Sequence, residues 1–213
     1  MKKLSFKKLS RPVRTGCWLL LFLVALFLIY AAFEFPLLGA RMAFRQAEKD
    51  HMVGPSEIID SFRQQGAASR QVTVAETEDL YLIHSYQTPY CHELRIYEKS
   101  DSPSIHWIPE GRYGSSFIYG GFDQLGLVLF DHCPEAAQVS VTFAYMYEEK
   151  MQSLTIGTQR TYDKFFVLTD FGANSNALDV LSDHFKGNGR VPVTVTVQFY
   201  DAQGALIRTE QLN

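Results

Sequence analysis

QVSVTFAYMYE (138–148) and VPVTVTVQFY (191–200) decide the fold. In the first, Val139, Val141, Phe143, Tyr145 and Tyr147 alternate with Ser140 and Thr142. In the second, Val191, Val193, Val195, Val197 and Phe199 alternate with Thr194, Thr196 and Gln198. A period of two sends every other side chain to the same face of a pleated strand, so each segment reads as a strand with one face on a core.

Working outward, the same reading predicts strands at 71–77, 80–87, 93–99, 104–108, 115–119, 125–131, 153–158, 164–169 and 205–211. LGLVLF (125–130) and FFVL (165–168) are apolar throughout, the mark of central strands covered on both faces. Asp201-Ala202-Gln203-Gly204 suits a tight hairpin turn. NALDVLSDHF (176–185) sets Leu178, Leu181 and Phe185 at helical spacing ahead of the KGNGR turn. About ten short strands with few helices predict an antiparallel β-sandwich, immunoglobulin-like in general shape, over residues 71–213.

Before that domain the period is helical. LLGARMAFRQAEKDHM predicts a juxtamembrane helix over about 37–50, started by Pro36 and ended before Gly54-Pro55. SEIIDSFRQQ follows, with Ser56 as a cap and Ile58, Ile59 and Phe62 at helical spacing. Residues 34–70 therefore read as a helical stalk and linker.

Residues 15–33 carry no charge for 19 positions, and the 14 residues before them hold Lys2, Lys3, Lys7, Lys8, Arg11 and Arg14. At about 1.5 Å per residue, such a helix covers about 28 Å, close to the hydrocarbon thickness of a bilayer. The run exceeds the 7 to 15 residues of a signal-peptide core, and the candidate cleavage positions are poor, since Ala31 has bulky Ile29 two residues before it and Ala40 has Leu38. The expectation is a single-pass helix retained in a cell membrane and contacting the lipid bilayer. The basic tail 1–14 would be cytoplasmic and the β domain extracytoplasmic. Beyond residue 16 there are 14 basic against 23 acidic residues, a balance of −9. That charge repels phosphate backbones, which argues against nucleic acid as a partner.

Cys91 and Cys133 are the two cysteines beyond the membrane, and in an oxidising compartment they are expected to form a disulfide. The closed loop of about 43 residues would add roughly 4 kcal/mol in the chain-entropy account. Cys91-His92-Glu93 mirrors Asp131-His132-Cys133, a Cys2His2 set that zinc would accept. Neighbouring residues on a strand point to opposite faces, however, so the pairs do not converge, and no metal or other cofactor is expected. Asp170, Asn174 and Asn176 lack the spacing of a calcium loop and read as turn residues.

Trp107, Tyr113, Phe117 and Tyr119, interleaved with glycines in IHWIPEGRYGSSFIYGGF (105–122), form a candidate aromatic binding surface for a peptide or sugar; the competing reading packs them into the core. No nucleophile elbow, zinc-protease helix, phosphate loop or dinucleotide fingerprint is present, and His84, His106 and His184 stand alone in the sequence. The expected function is a non-enzymatic module binding a protein or cell-surface polymer. The alternatives are a small extracytoplasmic hydrolase with a site invisible in sequence, or a sensor acting through a membrane partner.

Overall fold

A computed structural model describes residues 11–32, 39–65, 69–89, 91–113, 125–172 and 175–212. The chain divides into two units, Met1–Leu38 and Gly39–Asn213. In chain order the elements are α1 (Arg11–Ala32), α2 (Ala40–Asp50), β1 (Glu57–Gln64), β2 (Arg70–Glu76), β3 (Leu80–Thr88), β4 (Cys91–Glu98), β5 (Ser104–Trp107) and β6 (Arg112–Tyr113). They continue with β7 (Leu127–Phe130), β8 (Gln138–Tyr147), β9 (Lys150–Gln159), β10 (Phe165–Leu168), α3 (Ser175–Phe185), β11 (Val193–Tyr200) and β12 (Leu206–Leu212).

The first unit contributes α1, a 22-residue helix. Its described apolar side chains are turned outward, with Trp18, Phe22 and Phe27 at 65, 64 and 67 % exposure. The expected spanning helix over 15–33 is not supported as such. Phe33 lies outside the described residues. Among the described residues, no helix is long and apolar enough to cross a membrane.

The second unit is mainly β, and all its strand pairs are antiparallel. Among the described residues there are three sheets: β1-β2-β3-β4-β6, β10-β7-β5 and β12-β11-β8-β9. A two-sheet sandwich therefore gives way to a stack. Phe44 and Ala47 of α2 cover Ala75, Leu82 and Leu94 on one face of the five-stranded sheet. Val72, Val74, Tyr81 and Ile83 on its other face meet Val128, Phe130 and Phe165 of the middle sheet. Leu127, Leu129 and Phe166 then meet Val141, Phe143, Val195 and Val197 of the four-stranded sheet, with Ala177 and Leu181 of α3 closing this core. The middle sheet exists because LVLF and FFVL are apolar on both faces, and such strands need cover on both sides.

One local expectation changes. Residues 57–64 form a strand, not a helix. Ile58 pairs with Ala75 and Asp60 with Val74, so Ile59 is a bulge residue. The bulge breaks the period of two and leaves Ile58, Ile59 and Phe62 spaced as a helix would space them. The predicted strand 115–119 lies outside the described residues. Elsewhere turn chemistry holds: Asp201 Oδ1 accepts the Gln203 and Ala205 N–H groups, and Gly204 adopts φ 81°.

The expected disulfide is absent, since Cys91 and Cys133 are both free thiols. Strand geometry explains why. Cys91 opens β4, whereas His132, beside Cys133, hydrogen-bonds to the Ser100 carbonyl at 2.9 Å, just past the other end of that strand. Seven residue steps separate the two ends of β4, about 23 Å, against the less than 7 Å between Cα atoms that a disulfide needs.

Candidate functional site

The aromatic segment does not assemble a described surface. Trp107 is 8 % exposed and belongs to the core between the middle and four-stranded sheets. Arg95 lies 4.9 Å from its ring centroid and Lys186 5.8 Å, while its carbonyl accepts the Tyr97 hydroxyl at 3.1 Å. Tyr113 contributes a backbone pairing with Cys91. Its side chain, and Phe117 and Tyr119 entirely, lie outside the described residues. Nearby, Gly126 abuts the buried Gln64 amide and Ile108, and a Cβ there would come within 2.4 Å of Gln64 Nε2.

The mirrored Cys-His pairs go separate ways. Asp131 Oδ1 accepts the Cys133 N–H and Arg160 Nη2, so these residues belong to a structural knot around Arg160, whose guanidinium lies 4.5 Å from the Phe166 ring centroid. His92 joins His84, a partner that sequence distance concealed. β3 and β4 pair Tyr86 with His92, and this register carries His84 Nε2 to 3.3 Å from His92 Nδ1 beneath α2. His84 is fully buried, and its Nδ1 has no partner among the described residues. Burial, reinforced by His92, pushes its pKa down to about 3. It is therefore neutral at physiological pH.

His106 is also partnered, with Nε2 at 3.1 Å from Ser104 Oγ. This is the distance of a nucleophile and its base. The ring, however, stacks on Tyr97 at 4.0 Å between centroids, burial lowers its pKa to about 4, and no carboxylate among the described residues orients its other nitrogen. A base that weak, without an orienting group, is poorly suited to activating a hydroxyl.

Two shallow clefts are largely acidic. One, of about 210 Å³, includes Glu57, Asp60, Glu76, Tyr162, Asp163 and Lys164. Burial alone would raise the Glu76 carboxyl, yet Lys164 and Lys99 hold it below its ordinary value as an ion pair. The other, about 540 Å³, includes Glu78, Asp79, Glu98, Lys99, Asp101 and His132. In the second, His132 Nε2 meets the Ser100 carbonyl, not its hydroxyl, and among the described residues no group of three or more His, Cys, Asp or Glu is placed to hold a metal ion.

The most distinctive surface is the outer face of the four-stranded sheet. Register places even positions of β8 (138–146), odd positions of β9 (151–159), even positions of β11 (194–200) and positions 206, 209 and 211 of β12 on one side, 17 in all. None is charged, although 20 % of the chain is Asp, Glu, Lys or Arg, a rate that would put about three charges there. Thr196, Thr142 and Thr155 run across three adjacent strands, and the last two hydroxyls hydrogen-bond at 2.9 Å. Met146 and Met151 face each other at one end, 39 and 70 % exposed. Sequence reading saw these polar positions as the solvent side of strands and stopped there. The signal that marks them as one surface is the missing charge, and it becomes legible only once register joins four strands.

No family model, curated protein or solved structure matches the chain.

Proposed function

We propose that the protein is a non-enzymatic binding or assembly module, an extracytoplasmic β domain carried at a membrane by α1. The observation that carries this reading is the uncharged, hydroxyl-rich outer face of the β12-β11-β8-β9 sheet, an open platform where solubility would favour Lys and Glu. The exposed apolar side chains of α1 supply the membrane reading. A row of Leu, Phe and Trp in water is a liability, whereas in lipid it is the favourable arrangement, and the basic residues before it favour a cytoplasmic N-terminus.

The test uses the full chain in its native membrane. A photo-crosslinking side chain at Thr155 or Thr196 is expected to capture a defined partner, and one at Glu78, by the acidic cleft, is not. Equal capture at both positions, or none at either, would sink the reading. For a hydrolase, a fluorophosphonate probe should label Ser104, the one hydroxyl seen against an imidazole among the described residues; the expected result is no labelling.

A further inference from the structure

We infer that the outer face of the β12-β11-β8-β9 sheet binds the same face of a second copy of this chain, an inference that rests on the binding-module reading above. Three observations select this occupant.

The first is charge. With −9 beyond residue 16, two copies repel one another over most of their surface, and this face is a large patch where that repulsion falls away. The second is self-complementarity. Ser, Thr, Gln and Tyr side chains each donate and accept, so a face built from Ser140, Thr142, Thr155, Thr196, Gln198 and Tyr200 can satisfy its own copy across a two-fold axis. A charged face could not pair with itself in this way. The paired Met146 and Met151 add a soft apolar anchor of a kind enriched in protein interfaces.

The third is that the sheet's β12 edge is closed to this purpose. Arg208 stands opposite Phe199 and Glu210 opposite Val197, which places both charges on the core-facing side of the edge strand, where they form an ion pair. Inward charges on an edge strand block the addition of another strand there, so self-association does not run through the β12 edge.

Size is consistent with the same occupant. Four strands about 4.8 Å apart and about 26 Å long present roughly 500 Å² per copy, or roughly 1,000 Å² buried in total, at the lower bound for a specific interface. Copies held in one membrane meet at raised effective concentration, so an interface of this size suffices there.

The experiment places full-length protein, labelled with one fluorophore per chain, in lipid vesicles at low surface density and counts bleaching steps. Wild type is expected to show two steps in most spots. Thr142→Lys with Thr196→Lys, and separately Thr155→Lys on the exposed edge strand, are expected to weaken dimerisation at least tenfold, with the thermal melt unchanged as a check on folding. In a Cys17→Ser, Cys91→Ser background, Thr142→Cys is expected to cross-link between copies under mild oxidation, and Glu78→Cys is not. Single-step spots for wild type, or dimers that survive the lysines, would overturn the inference. If wild type is monomeric but the lysines abolish binding to a neutral polysaccharide or to a cross-linked partner protein, self-association is wrong and the binding-module reading stands. If no binding of any kind is lost, both fall.

Discussion

The four-stranded and five-stranded sheets are built from similar strands but solve different problems. β8 and β11 have one face on the core and one in water, and they alternate almost without exception: Val141, Phe143, Val195 and Val197 inward, Thr142, Thr194 and Thr196 outward. The five-stranded sheet is covered twice, by α2 on one side and by the middle sheet on the other. Its central strands β2 and β3 are consequently buried on both faces and include polar groups that water cannot reach, among them Thr73, His84 and Ser85. A sheet with a wet face can place its polarity outside. A sheet without one must satisfy polarity internally or keep it neutral, which is what burial does to His84.

The contrast can be broken most forcefully at Phe143. It is fully buried, so Phe143→Ala should cost about 3 to 5 kcal/mol. Thr142→Ala, one residue away on the open face, should change stability by less than about 0.5 kcal/mol. Chemical denaturation of both variants checks the pair; similar losses would mean that Thr142 is packed into the core of its own chain.

A somewhat smaller effect separates the sheets by pH. His84 has a pKa of about 3 when folded against about 6.5 for a free imidazole, so between these values the unfolded chain binds the extra proton. Stability is therefore whole above about pH 7 and falls as pH drops toward 3, by roughly 3 kcal/mol at pH 4 from this group. Hydrogen exchange should show α2 and β3 losing protection first. Replacing His84 with Leu should flatten that slope while leaving β8 and β11 unaffected.

A gain of about 1 kcal/mol is expected at the β8–β9 turn. Glu148 and Glu149 adopt φ 48° and 62°, a left-handed pair that favours Asn-Gly. Glu148→Asn with Glu149→Gly should raise the melting temperature without altering either core. The smallest effect is at the cysteines: with both thiols free, dithiothreitol should leave the melting temperature unchanged. A drop of several degrees would show a disulfide after all.

How far the sequence could be read follows the same division. The alternating strands of the four-stranded sheet were legible because one face is wet, and the doubly covered LVLF and FFVL because they are apolar throughout. β1 was misread as helix because a single bulge at Ile59 disguises the strand period. The His84–His92 and Ser104–His106 contacts follow from strand geometry, one from cross-strand register and one from two-residue spacing on β5, and neither leaves a mark in composition. Cys91 and Cys133 looked paired because only two cysteines follow the apolar run, but β4 holds their ends of the sheet apart. Trp107 carries the same ambiguity as any aromatic next to glycines, and packing placed it in the core.

The sequence by itself determined that this chain has a basic and apolar N-terminal segment, an acidic remainder and a mainly antiparallel β unit, because charge and side-chain period are local properties. Only the tertiary structure decided that the described strands form three sheets, that the thiols stay apart, and that polar positions from four strands merge into one uncharged face. Those outcomes depend on register and layer order, which arise from contacts between residues far apart in the chain.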